Sequence, residues 1–160
     1  MYSQVPYANH DNARIALFAG SFDPFTLGHA SVVERALPLF DRIVIAVGFN
    51  SSKEASESIT RRTQELKRIY RHRLDKSIVI MTYEHKLTID LARQVGANWL
   101  LRGVRNVKDF EYERELADIN RRLSGIETVI LFTLPEHQSL SSSLVRELRS
   151  FGHDTSSLIP

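Results

Sequence analysis

Five short, mainly apolar runs limit what this chain can fold into more than any other feature. They are Ile15–Ala19, Arg42–Val47, Ser77–Thr82, Asn98–Leu101 and Thr128–Thr133. Arg42-Ile43-Val44-Ile45-Ala46-Val47 is the clearest, rich in β-branched residues and without polar alternation. A strand with one wet face alternates polar and apolar side chains, whereas a continuous apolar strand is covered on both faces. Helical patterns separate the runs, at Ala30–Leu37, Thr60–Leu74, Thr88–Val95, Asp109–Leu123 and Ser142–Phe151. Leu66, Ile69, Tyr70 and Leu74 share one helical face, as do Leu116, Ile119 and Leu123. Thr88 is the expected N-cap of its helix and Gly96 its stop; Gly125 and Gly152 end two others. Strand–helix alternation of this kind predicts an α/β, doubly wound, five-stranded parallel sheet in a single domain. Such sheets bind ligands outside the carboxyl ends of their strands, near the topological switch point.

The rest of the chain agrees with one such domain over residues 13–160, with Met1–Asn12 and Ser156–Pro160 as loosely held ends. The absence of cysteine excludes disulfides, thiolate catalysis and Cys-based metal sites, and suits a reducing compartment such as the cytoplasm. Met1–Asn12 lacks the apolar core of a signal peptide. No run approaches the roughly 20 apolar residues of a membrane span, so no membrane partner is expected. A net charge of +2 fits a phosphorylated ligand as well as nucleic acid. The basic residues Arg61, Arg62, Lys67, Arg68, Arg71 and Arg73 read as a solvated helix face rather than a nucleic-acid surface. His10, His72, His85 and His153 read as surface residues, and Phe110 and Tyr112 as core or helix-contact residues.

The chemistry collects just past the predicted strand ends. After the first run comes Ala19-Gly20-Ser21-Phe22-Asp23-Pro24-Phe25-Thr26-Leu27-Gly28-His29, a glycine-bearing loop that opens a helix. Helix-start N–H groups and the helix dipole both favour an anion there, and Gly20 and Gly28 let the backbone approach it. His29 can donate to a phosphate oxygen. Asn50-Ser51-Ser52-Lys53 follows the second run, Arg102-Gly103-Val104-Arg105 the fourth, and His137-Gln138-Ser139-Leu140-Ser141-Ser142-Ser143 the fifth. On one edge of a parallel sheet these segments form a polyanion site suited to phosphoryl or nucleotidyl transfer, where catalysis is mainly positioning and charge neutralisation.

These residues carry a resemblance. Thr26-Leu27-Gly28-His29 resembles the signature of the nucleotidylyltransferase superfamily. Gly20–Pro24, Ser52-Lys53, Arg102–Arg105, Asp109-Phe110-Glu111-Tyr112-Glu113 and Ser141–Val145 together are similar to the bacterial phosphopantetheine adenylyltransferase family. The resemblance implies a Rossmann-like nucleotidylyltransferase fold. It implies transfer of the adenylyl group of ATP to 4′-phosphopantetheine, giving dephospho-coenzyme A and pyrophosphate by direct in-line attack. His29, Lys53 and Arg102 would be catalytic. Ser21, Lys53, Thr88 and Arg102 would hold the acceptor. Ser21, Phe22, His29, Gly103, Val104, Arg105, Glu113 and the stretch His137, Gln138, Ser139, Leu140, Ser141, Ser142 and Ser143 would hold ATP. Asp109 would help orient the arginines. Mg²⁺ would arrive with ATP rather than in a protein cage, and the resemblance implies a homohexamer and allows feedback by coenzyme A. The chain departs from the family pattern at Glu54-Ala55, at Arg61-Arg62, where an acidic pair is common, and at His137.

Two rival readings remain at this point. Another nucleotidylyltransferase, acting on nicotinate mononucleotide or glycerol phosphate, would share the Gly-His loop but not Asp109–Glu113 after Arg102–Arg105. A nucleic-acid module built on Thr60–Leu74 would leave every strand-end motif unexplained.

Overall fold

A computed structural model describes residues 13–49 and 56–160. Its five strands are β1 Ile15–Gly20, β2 Arg42–Phe49, β3 Ile78–Glu84, β4 Trp99–Val104 and β5 Glu127–Phe132. The helices are α1 Leu27–Ala36, α2 Ser56–Ile69, α3 Thr88–Gln94, α4 Val107–Ser124 and α5 Ser142–Ser150. All strand pairs are parallel and the sheet order is β3-β2-β1-β4-β5. The chain winds outward from β1 in one direction, then returns to start again at β4. Between β1 and β4 lies the switch point expected from the sequence.

The sheet is buried on both faces, as the continuous apolar runs require. Ala16, Phe18, Ile43, Ile45, Val47 and Leu101 face one core with Val32, Val33 and Ala36 of α1 and Leu66 of α2. Their strand neighbours Leu17, Ala19, Val44, Ala46 and Leu100 face a second core with Leu91 and Ala92 of α3. This parity is the period of two along each strand. Gly96, Gly125 and Gly152 have positive φ and follow α3, α4 and α5, as the sequence suggested.

Several boundaries differ from expectation. Helix α1 begins at Leu27, so Gly28 and His29 lie inside its first turn. Strand β4 runs on to Val104, placing Arg102 and Gly103 on the strand itself. Helix α2 ends at Ile69 because turns follow: Tyr70 accepts from the Arg73 amide, and Asp75 adopts a left-handed φ of 58°. Thr88 is not an N-cap; Leu87 holds that position without a side-chain bond, and Thr88 is the first helical residue. The terminal segment is not loose. Arg149 Nε donates to Thr155 Oγ1 at 2.9 Å, and Arg68 reaches the Pro160 carbonyl.

The largest correction concerns α4. Phe110 and Tyr112 read from the sequence as core or helix-contact residues, yet Glu113 is the sole buried residue of the helix. Ile119 is 51% and Leu123 61% exposed, and Phe110 and Tyr112 are also exposed. The apolar period is real, but it faces outward. Phe110 stacks on exposed Phe132 with ring centres 6.3 Å apart. No helix among the described residues is long and apolar enough to cross a membrane.

Candidate active site

A cleft of about 470 Å³ opens above the carboxyl ends of β1 and β4. Three segments wall it: the loop from Ala19 into α1, the Arg102–Glu113 segment, and Leu140–Ser143 at the start of α5. Ser21, Phe22, His29, Arg102, Gly103, Arg105 and Glu113 therefore converge, together with Leu140, Ser141, Ser142 and Ser143. Val104, Thr88, His137, Gln138 and Ser139 are not on the wall, and Val104 is buried in the sheet. Lys53 and the segment Met1–Asn12 lie outside the described residues.

His29 is held by local backbone chemistry. Thr26 caps α1, and its buried side chain takes the His29 amide at 3.4 Å. In return His29 Nδ1 accepts the Thr26 backbone N–H at 3.0 Å. The reciprocal pair is a capping box in which an imidazole replaces the usual Glu or Gln. Because Nδ1 is an acceptor, the proton of the neutral ring belongs on Nε2. The ring stacks on Phe25 (5.3 Å) and meets Phe22 edge-on (5.2 Å). Burial among these rings, and then the charges of Arg105 and Arg102, push the His29 pKa down to about 4. At neutral pH the site thus holds an uncharged Nε2–H donor among fixed cations.

The two arginines are oriented by carboxylates. Arg102 Nε and Nη2 grip Glu113 at 2.8 and 2.5 Å, and its Nη1 donates to the Ala19 carbonyl at 2.8 Å. Arg105 Nε donates to Asp109 at 2.9 Å, and the Arg105 amide also bonds Asp109 at 3.2 Å. Both arginines are therefore ion-paired, Arg102 with Glu113 and Arg105 with Asp109, the helper expected from the sequence. They present guanidinium groups in fixed aim at the cleft. Gly103 lets β4 approach α1: a Cβ there would lie 2.8 Å from Val32 Cγ2.

The third wall is a helix N-terminus. Ser141 caps α5 by accepting the Leu144 amide at 3.1 Å. Ser142 Oγ is spent on the Pro24 carbonyl at 2.8 Å, tying α5 to the loop. The Ser142 and Ser143 amides belong to the first turn, where no intrahelical acceptor exists. Arg146, four residues after Ser142, also lines the cleft. The sequence reading missed it, although i, i+4 spacing puts it on the cleft face. Thr133 on the wall had no role from the sequence, and Tyr112, read as a core or helix-contact residue, is exposed and lines the cleft.

Arg62 corrects another expectation. It is not part of a solvated basic face: it is 2% exposed, and its Nη1 donates to the Ser21 carbonyl at 2.6 Å. Arg61, Lys67, Arg68, Arg71 and Arg73 are exposed, as read.

Comparison with known proteins agrees with this geometry. A family model described as cytidylyltransferase-like matches residues 17–148. A phosphopantetheine adenylyltransferase of Porphyromonas gingivalis is 53% identical over 146 residues, covering 91% of this chain and 94% of that protein. One from Bacteroides thetaiotaomicron is 50% identical over 147 residues, covering 92% and 95%. Among solved structures, a bifunctional NMN adenylyltransferase/ADP ribose pyrophosphatase of Francisella tularensis, complexed with AMP and Mn ion, shares the fold. It matches at a TM-score of 0.65 and 13% identity, over 92% of this chain and 44% of that one.

Proposed function

The chain belongs to the phosphopantetheine adenylyltransferase family, and from that premise we propose that its cleft transfers the adenylyl group of ATP to 4′-phosphopantetheine. The products are dephospho-coenzyme A and pyrophosphate. An oxygen of the acceptor phosphate attacks the α-phosphorus of ATP, and the bond from that phosphorus to the oxygen bridging to the β-phosphorus breaks. The acceptor phosphate is already ionised at neutral pH, so the step needs no general base.

The single observation that carries this reading is the joint presentation, in one cleft, of His29, Arg102, Arg105 and the start of α5. The Nε2–H of His29 is a donor for the α-phosphate, where charge grows in the transition state. Arg102 and Ser21 are the acceptor-phosphate side of the site, with Lys53 and Thr88 assigned there by family likeness. Arg105, the first-turn amides of α5 and Arg146 form an opposing cationic rim for the β- and γ-phosphates. Phe22, Gly103, Val104, Glu113 and His137–Ser143 complete the nucleotide side by the same likeness. Mg²⁺ carried on the triphosphate would neutralise its charge. Its ligands would be drawn from the triphosphate and water.

Assembly as a homohexamer is carried over by family likeness; the outward apolar face of α4 and Phe132 favours an interface without setting its copy number. Coenzyme A shares the adenylyl and pantetheine parts of the product and would compete for the cleft. A cytoplasmic location suits an enzyme that consumes ATP.

The test is acceptor-dependent pyrophosphate release. With ATP and Mg²⁺, 4′-phosphopantetheine should support turnover, whereas nicotinate mononucleotide and glycerol phosphate should not. In the same assay His29→Ala should lose on the order of 10²–10³ in kcat and keep most of its ATP affinity. Product formed only from a mononucleotide would refute the acceptor assignment.

A further inference from the structure

The loop between β1 and α1 has its carbonyls claimed by side chains from three different elements. Arg102 of β4 takes the Ala19 carbonyl at 2.8 Å, and Arg62 of α2 takes that of Ser21 at 2.6 Å. Arg146 and Ser142 of α5 take those of Asp23 and Pro24, at 2.5 and 2.8 Å. A carbonyl oxygen is the negative end of a peptide dipole, and one pointing into a phosphate site opposes binding. Turning the carbonyls onto donors leaves the opposite ends of those peptides for the anion.

The four anchors are not alike. Arg102, Ser142 and Arg146 line the cleft, so a bound phosphate competes with the loop for their donors. Arg62 is 2% exposed, lies outside the cleft wall, and also donates through Nε to the Ser58 carbonyl at 3.3 Å. Its bond to Ser21 is the one a ligand cannot reach. The next residue, Phe22, holds a φ of 46°, a left-handed backbone that a non-glycine residue adopts only under constraint.

We infer that Arg62 is a positioning residue: from beneath the cleft it clamps the Ser21 carbonyl and keeps the phosphate loop in its anion-receptive form while the cleft arginines are drawn to substrate. The clamp ties the loop to α2, the helix that follows the Lys53 segment in the chain. Its effect on turnover rests on the adenylyl-transfer reading above; its effect on the loop does not.

The experiment uses the full chain with Arg62→Ala, Arg62→Lys and, as a control, Lys67→Ala, which removes an exposed cation from the same helix. Amide hydrogen exchange over residues 19–24 should rise in Arg62→Ala, return toward wild type with added guanidinium, and stay unchanged in Lys67→Ala. Urea, similar in shape but uncharged, should not restore it. In pyrophosphate release, kcat should fall on the order of 10²-fold in Arg62→Ala, because a shift of about 1 Å in a positioning group has that effect. The KM for ATP should stay within about threefold, separating the loss from a binding defect. Arg62→Lys keeps the cation but not the two-directional fork, and should fall between; it carries the test if Arg62→Ala does not fold. Unaltered exchange with unaltered kcat overturns the inference, as does an equal loss in Lys67→Ala. Wild-type inactivity toward 4′-phosphopantetheine would sink the functional reading, and the exchange result would still decide the clamp.

Discussion

The half-buried imidazole of His29 should make the fold lose stability between pH 6.5 and pH 4. Its pKa in the folded chain is about 4, lowered by burial first and then by Arg105 and Arg102. In an unfolded chain a histidine titrates near 6.5. The unfolded state therefore takes up a proton at a pH where the native state refuses it, so acid favours unfolding. The contribution is fully present above about pH 6.5 and is lost as pH falls through the folded value. Worked from the two values, about 2 kcal/mol is gone by pH 5 and about 3 kcal/mol by pH 4. Other groups titrate over the same range, so the effect must be isolated by difference. His29→Gln keeps an acceptor for the Thr26 amide but cannot titrate. Urea unfolding of both proteins, followed by far-ultraviolet dichroism and by fluorescence of the single tryptophan, Trp99, gives the two stabilities at each pH. The wild-type advantage should shrink by about 2 kcal/mol from pH 7 to pH 5, at fixed protein concentration. A difference that stays flat with pH would mean that the imidazole titrates freely, and the description of His29 as a neutral Nε2–H donor would fail with it.

Two further perturbations probe the walls of the cleft. Glu113→Gln keeps the shape of the Arg102 partner but removes its charge. Breaking a buried pair costs about 3–5 kcal/mol, and because the Arg102 side chain is 32% exposed the loss here should be about 1–2 kcal/mol. Adding Arg102→Met should recover part of it, since no orphaned cation remains; an unmoved urea midpoint in the single variant would show that the pair does not support the fold. Gly103→Ala places a methyl 2.8 Å from Val32 Cγ2, at the contact between β4 and α1. Overpacking of this kind costs about 1–3 kcal/mol, and thermal unfolding should register it; an unchanged Tm would mean that α1 yields freely.

The parallel sheet and the edge at which the polar clusters gather were legible because both follow from simple periodicities. Doubly covered strands leave a run of Val, Ile, Leu and Ala that needs no tertiary information to recognise, and the polar clusters fall at the only sheet edge such topology makes available. Helix α4 shows where that reasoning stops. Leu116, Ile119 and Leu123 repeat at helical spacing, which identifies a face but not what covers it. A stripe turned toward its own sheet and one turned away have the same sequence pattern. Glu113, the buried residue on that helix, is a carboxylate paired with Arg102, so the inward face is polar where it meets the cleft.

Arg62 exposes a deeper gap between residue patterns and site chemistry. A basic residue in a basic helix reads as solvated, and no local spacing marks it as buried. What buries it is the Ser21 carbonyl, 41 positions earlier in the chain, which offers an acceptor only because the loop has folded back beneath the cleft. The same holds for Arg102 with Ala19 and Arg146 with Asp23. Sequence motifs name the side chains that can touch a phosphate, but an anion site also depends on the direction of the peptide dipoles around it. Here that direction is set by guanidinium groups that reach the loop from β4, α2 and α5. Removing one from below the cleft should therefore change the loop's backbone without deleting any group on the cleft wall.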